Sequence, residues 1–370
     1  MKQIIVSVTN DLTTDQRVHK ICTTLHEEGY SILVIGRKLK SSLPLKRDYK
    51  ISRMRLLFSK GFLFYAEYNL RLFIKLLFLK KNILIANDLD TLLPNYLISK
   101  IFNLKLVYDS HELFTEVPEL IHRPRIQKVW CAIENFIFPK LKNVYTVNNI
   151  IADIYSDKYK VPVKIIRNIA PKLKNKVPNK QLSSKIKGNK KMLILQGAGI
   201  NVDRGAEEAV EMMQYLENTI LYIIGSGDVF PLLNKKVKTL KLEQKVFLLG
   251  RKPYAELMEY TKIADLGLSL DKNTNLNYEY SLPNKIFDYI QAEIPLLVSD
   301  RRIIANIVEK NNIGVVTKTH NPKELATIIS EILSSTEKMK TWKNNVKLAA
   351  EKYNWETESK KLIDIYKNIQ

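Results

Sequence analysis

Short β-branched and aliphatic runs alternate with amphipathic segments along nearly the whole chain, and the alternation lapses only once. "IIVSV" is followed by a helical segment near Thr14–Glu28, then "SILVIG", a long apolar segment, "ILIAN", another amphipathic segment, "LKLVYDS", "VYTVN" and "KIIRN". Strand runs separated by helix-length segments are the pattern of βαβ units, in which a parallel sheet is covered on both faces. After Asn168 comes "APKLKNKVPNKQLSSKIKGNKK", a polar, lysine-rich stretch with two prolines, read as a linker over 169–190. The rhythm then resumes with "MLILQG", a helix from about Arg204, "ILYIIGSG", "KVFLLG", "ADLGLSL", "PLLVS" and "GVVT". The expectation is α/β throughout: a domain over 1–168, a second over 191–350, and a helix within 351–370 ("WETESKKLIDIYKNI") packing back on the first. A length of 370 residues suits two such domains better than one core. Ligands of such sheets bind beyond the carboxyl ends of the strands, which directs attention to a cleft between domains.

Charge narrows the partners. Fifty-nine Lys and Arg against 38 acids leave a formal charge of +21, which favours nucleic acid, anionic lipid or phosphorylated small molecules, unless it is only a solvated lysine-rich surface. The basic residues are dispersed and no nucleic-acid-binding motif accompanies them, so nucleic acid is not expected as a partner. Cys22 and Cys131, without metal-ligand spacing, fit a reducing compartment. The first apolar run is too short for a signal peptide, and the apolar region Gly61–Lys81 is broken by Glu67, Asn69, Arg71 and Lys75, so no membrane span is expected. The segment Arg53–Lys81 has the composition of an interfacial helix, and equally that of a core helix with solvated lysines.

The strand ends collect the polar residues. Asp11, Asp15, Arg17 and His19 follow the first strand, "NDLD" follows "ILIA", and His111 and Glu112 follow "LKLVYD". Later, "GAGINVDRG", "SGD" and "GRKPY" follow strands, with glycines where a backbone must approach a ligand closely. None of these is a G-x-G-x-x-G fingerprint or a Walker A loop. Asp88 and Asp90 resemble a metal-binding D-x-D pair. A helix-capping role for Asp88 is the preferred reading, and no metal or other cofactor is expected.

"YSLPNKIFDYIQAEIPLLVSD" (Tyr280 to Asp300) places Lys285 and Asp288 three residues apart in an apolar run. With Ser281 as N-cap and Pro283 in the first turn, both fall on one face near a helix N-terminus. Such an end, with a lysine, suits a phosphate, and an aspartate one turn deeper suits sugar hydroxyls. An i, i+3 ion pair on a solvated face is the alternative.

"NDLTTDQRVHK", "YDSHELF", "DRGAEEAVEMM", "GSGD" and "SLPNKIFDYIQAEIPLLVSD" occur in the order and spacing of the GT-B glycosyltransferases. The chain resembles in particular their large retaining group (family 4, group 1), over nearly its whole length. The resemblance implies two Rossmann-like domains, a nucleotide-sugar donor, a saccharide acceptor, lipid-linked saccharides included, and transfer with retention and without a metal. It places Asp288 at the ribose, Lys285 facing the donor, Arg204 at the diphosphate, His111 at the donor sugar and Gly227 in the nucleotide pocket. Ser281 and Leu282 supply the adjoining backbone; Asp11, Asp15, Arg17 and Glu112 are acceptor-side candidates. There are departures. Tyr280, or its neighbour Glu279, stands where a glutamate is usual, Gly199 replaces an arginine of the diphosphate site, and Glu293 replaces a glycine. A nucleotide-sugar 2-epimerase of the same architecture is the enzymatic alternative, and a basic membrane-surface or nucleic-acid-binding protein the non-enzymatic one. With the charge and the Arg53–Lys81 segment, the expected location is cytoplasmic, at the inner face of the membrane.

Overall fold

Two wholly parallel sheets account for the β-branched runs. The computed structural model describes residues 2–369 other than Thr14, Ser41 and Leu43. The chain divides into two compact units: residues up to Asn168 together with those from Glu358 onward, and Ile169–Thr357.

The first unit contains β1 (Gln3–Asp11), β2 (Ser31–Arg37), β3 (Lys50–Met54), β4 (Ile83–Asn87), β5 (Lys105–Ser110), β6 (Asn143–Thr146) and β7 (Val163–Ile165), in spatial order β3-β2-β1-β4-β5-β6-β7. β1 pairs with β2 on one side (Val6 opposite Val34) and β4 on the other (Val6 opposite Ile85), so the winding reverses beside β1. All five residues of β4 are buried, as expected of a strand covered on both faces.

The second unit contains β8 (Lys191–Gly197), β9 (Thr219–Gly225), β10 (Val246–Leu249), β11 (Leu266–Ser269), β12 (Leu296–Ser299) and β13 (Gly314–Thr317), in order β10-β9-β8-β11-β12-β13. Here the winding reverses between β8 and β11, whose residues Leu193 and Leu266 are paired. The core of this unit runs from Leu193, Leu195, Leu221 and Ile223 on the sheet to Leu325, Ile329 and Trp342 on the helices.

Several boundaries differ from the sequence reading. The first helix spans Gln16–Glu27, and the Thr14 at which it was expected to begin lies outside the described residues. Within 169–190 there is a helix, Lys180–Lys187, whose Asn179 cap accepts a hydrogen bond from Leu182 N–H; it belongs to the second unit. Its polar composition concealed it. The last helix, Trp355–Lys367, crosses the division of the chain at Thr357/Glu358. From Glu358 on it packs in the first unit, with Glu358 on Arg167 at 2.7 Å and Tyr366 against Tyr145 and Tyr30.

The Arg53–Lys81 segment is not one helix. It leaves the sheet with β3, turns, and enters a helix at Gly61–Phe78. Phe64, Tyr68, Leu72 and Leu76 bury one narrow seam at four-residue spacing, each contributing about 1.5–3 kcal/mol. The Tyr68 hydroxyl donates to Val8 O at 2.7 Å. Other large apolar side chains stay in solvent: Leu57 82 %, Phe62 70 % and Phe78 84 % exposed, with Leu63, Leu70 and Ile74 also exposed. Among the described residues no helix is long and apolar enough to cross a membrane.

Candidate active site

In the second unit the loops after β8, β9 and β11 meet where the winding reverses. Glycines make this possible at two points. A Cβ on Gly227 would stand 1.8 Å from Ile200 O, so the "GSG" and "GAGI" loops close on one another only with glycine there. Gly205 has φ +75°, and a Cβ on it would stand 2.2 Å from Leu270 O. That close approach sets Arg204 beside Asp271, immediately past β11.

Asp271 is the hub. Arg204 Nη1 lies 3.1 Å from its Oδ1 and Lys285 Nζ 3.0 Å from its Oδ2. Ser269 Oγ donates to Oδ2 at 2.8 Å, and Arg301 Nη1 stands 3.7 Å away. Burial alone would raise the Asp271 carboxyl, but Lys285, Arg204 and Arg301 outweigh it and hold the group well below the carboxylate range. Burial lowers the Lys285 ammonium against the pull of Asp271. The Arg204 guanidinium also lies over the Tyr278 ring, 4.0 Å from its centroid.

Lys285 opens the helix Lys285–Gln291, with Asp288 in its first turn, while Ile286, Phe287 and Ile290 are buried. The two polar residues do not pair with each other. Lys285 turns to Asp271; Asp288 Oδ1 accepts from Tyr254 OH at 2.9 Å and Oδ2 from Gln196 Nε2 at 3.0 Å. Thr261 Oγ1 in turn donates to Gln196 Oε1 at 2.7 Å. Ser281 is not the N-cap of this helix. It terminates a preceding helix, Leu276–Tyr280, capped by Asn275, and the N-cap position falls on Asn284. Pro283 accordingly lies ahead of the helix rather than in its first turn. Leu282 is buried beside it, Tyr280 is half-buried, and Glu279 has a buried Oε2 with no hydrogen-bond partner.

Gly199 needs no special space, since a Cβ there meets only Asn201 Nδ2 at 3.8 Å. Glu293 holds φ +58°, a conformation that favours glycine, and keeps the turn to β12 while pairing with Lys176 at 3.0 Å. The glutamate therefore preserves the turn.

The strand ends of the first unit carry a second cluster. Asp88, after β4, has φ 56° and ψ 170°, and its carboxylate does not cap the helix Leu89–Ile101 as expected. It accepts from the His111 backbone N–H at 2.7 Å and faces His111 Nδ1 at 3.0 Å. His111 Nε2 is 3.3 Å from Asp109, whose carboxylate is gripped by Arg17 at 2.6 Å. Burial opposes the charged imidazole, but Asp88 and Asp109 raise His111 well above its ordinary value and favour the imidazolium.

The acceptor-side candidates are occupied locally. Asp15 caps the helix Gln16–Glu27 through Val18 N–H at 3.0 Å. Asp11 accepts from Ser42 Oγ at 2.6 Å, and Arg17 is buried on Asp109 and Ile166 O. Glu112 is partly buried beside His111. Asp90 turns away from Asp88 to accept from Thr9 Oγ1 at 2.5 Å; burial, with the charge of Asp88, pushes it up to about 7. Among the described residues, no group of three or more His, Cys, Asp or Glu is arranged to hold a metal ion.

Sequence reasoning missed Asp271, Arg301, Gln196 and Tyr254. Asp271 had a signal, since it directly follows the strand run "ADLGLSL", whereas the other three are recognisable only through their partners.

The sequence model of the family "Glycosyl transferases group 1" matches residues 178–349. No curated protein sequence matches the chain. Among solved structures, sucrose-phosphate synthase from Thermosynechococcus elongatus superposes with a TM-score of 0.80 at 13% identity, over 99% of this chain and 98% of that one. HepE from Anabaena, solved in complex with UDP, gives 0.73 at 15% identity, over 99% and 100%. WaaG, a glycosyltransferase involved in lipopolysaccharide biosynthesis, gives 0.71 at 15%, over 98% and 99%. With two parallel sheets wound in this order and a family match spanning most of the second unit, the chain has the GT-B fold and its residues 178–349 are a group 1 glycosyltransferase domain.

Proposed function

We propose that the enzyme transfers a sugar from a nucleotide-sugar donor to a saccharide hydroxyl, with retention and without a metal. The observation that carries this reading is the convergence of Arg204 and Lys285 on the carboxyl end of β11, where the winding of the second unit reverses. Two preorganised cations there suit a diphosphate leaving group, whose charge grows as the glycosidic bond breaks. Asp288, one turn along, takes the ribose hydroxyls. Its oxygens accept from Tyr254 and Gln196. These two side chains orient the carboxylate. The solved HepE complexes with UDP and UDP-glucose make uridine nucleotides the first donors to try. With its charged form favoured by Asp88 and Asp109, His111 is a poor general base. It is assigned instead to electrostatic support at the donor sugar, and the departing phosphate takes the acceptor's proton.

Calorimetry tests the ribose assignment. Losing charged hydrogen bonds of about 1.5–3 kcal/mol, Asp288→Ala is expected to weaken UDP binding by roughly ten- to a hundred-fold. Inorganic diphosphate binding should be unchanged. Equal UDP affinity in a folded variant removes Asp288 from the site, and activity abolished by EDTA and restored by Mn²⁺ removes metal independence.

The exposed apolar side chains of the helix Gly61–Phe78 point to a membrane-borne acceptor. Leu63, Leu70, Ile74 and Phe78 share one face, with Arg71, Lys75 and Lys80 close by. Apolar bulk flanked by cations fits anionic lipid, at about 1 kcal/mol per basic residue reaching the headgroups. Co-sedimentation with phosphatidylserine-containing vesicles is expected, weakening with salt and reduced by Leu70→Glu/Ile74→Glu. No sedimentation at low salt would point to a soluble acceptor.

A further inference from the structure

Arg301 follows β12 and is among the largest fully buried side chains of the described residues, at 1 % exposure. Its Nη2 donates to Ser281 O at 2.9 Å and Ser281 Oγ at 2.7 Å. Its Nε and Nη1 are buried without a hydrogen-bond partner. Unmet donors on a buried guanidinium are costly and call for an explanation. Nη1 points toward Asp271 Oδ2 but stops at 3.7 Å, beyond hydrogen-bond range, while Arg204 and Lys285 hold that carboxylate at 3.1 and 3.0 Å. The other acid near Arg301 is Glu279, whose Oε2 also lacks a hydrogen-bond partner.

The geometry identifies a conflict. Arg204 and Lys285, the cations assigned to the donor diphosphate, are bonded to a buried carboxylate. Drawing both away leaves Asp271 charged and without a cation at hydrogen-bond distance, a state that costs several kcal/mol. We propose that Arg301 resolves this as a positioning residue. When a nucleoside diphosphate takes Arg204 and Lys285, Arg301 Nη1 closes from 3.7 Å to about 2.9 Å and becomes the partner of Asp271. Its unmet donor is the capacity held ready for that exchange, and its grip on Ser281 keeps the adjoining loop in place meanwhile. The role rests on the diphosphate reading above. It also answers the missing arginine at Gly199: the third cation stands behind the site, against Asp271.

Binding of inorganic diphosphate and of UDP to the full chain tests the exchange. Arg301→Met is expected to lower both affinities about tenfold, because each bond given to the ligand is taken from an uncompensated carboxylate. Asp271→Asn in the same chain should restore them to within about threefold of Asp271→Asn alone, since no carboxylate then competes. Arg301→Lys, which keeps the charge but not the fork, should bind both ligands more tightly than Arg301→Met. A merely structural arginine would lose affinity in Arg301→Met without rescue by Asp271→Asn, and that result overturns the proposal, as does an unchanged Arg301→Met. Should Arg301→Met not fold, Asp271→Asn alone should bind diphosphate about tenfold more tightly, and unchanged or weaker binding overturns the proposal. Failure of the wild-type chain to bind UDP or diphosphate at all would instead remove the donor reading itself.

Discussion

Removing the charge of Arg204 or of Lys285 is expected to lower kcat by about 10²–10³-fold, with a smaller loss of nucleotide affinity. Both ammonium and guanidinium act on a leaving group whose negative charge is larger in the transition state than in the bound donor. Interactions that strengthen on the way to the transition state appear in kcat, whereas those equal in both states appear only in binding. The site also lies beside buried walls, where a charge is screened less than at the surface. The substitutions should leave the unit folded, because Asp271 retains Ser269 and one of its two close cations in either variant. Arg204→Gln and Lys285→Met, measured at saturating donor and acceptor, provide the check. A kcat within about twofold of wild type in both variants would place the leaving group elsewhere.

The helix spacing that links Lys285 to Asp288 was legible in the sequence because both lie on one short element, and position within a helix is a local property. What each residue binds was not. Asp271 is separated from Arg204 by three helices and three strands, and only the pairing of β8 with β11 brings the two ends together. Asp88 shows the same limit. Its place before an apolar helical run reads as a cap, yet β4 and β5 are neighbours, so Asp88 meets His111 across the sheet edge and takes an uncommon backbone conformation there. β3 escaped notice because an edge strand has no apolar alternation to reveal it, and all but one of its residues are partly exposed. The Gly61–Phe78 helix was ambiguous for a physical reason. It has a buried seam and an exposed apolar face together, and composition cannot separate the two.

The Arg17–Asp109–His111–Asp88 chain should dominate the stability of the first unit. Arg17 and Asp109 are both almost wholly buried, and removing one partner of such a pair typically costs about 3–5 kcal/mol because the other charge is left in a low-dielectric interior. Arg17→Leu is therefore expected to lower the melting transition of this unit by roughly 6–20 °C, using about 2–4 °C per kcal/mol for a unit of this size. The pH dependence has a definite sign. Burial disfavours the charged His111, but Asp88 and Asp109 raise its folded pKa; its stabilisation is complete below the unfolded value of about 6.5 and is lost as pH rises through the folded value. Burial raises Asp109, but Arg17 and His111 lower it on balance, so its contribution is present above about 3.9 and is lost as pH falls through the folded value. Both contributions are complete between about pH 4 and 6.5, and only the histidine's declines on the alkaline side. The melting difference between wild type and His111→Gln should thus be largest in that window and shrink steadily toward alkaline pH. A difference independent of pH would mean that His111 is neutral in the folded protein, and its exclusion as a general base would then fall with it.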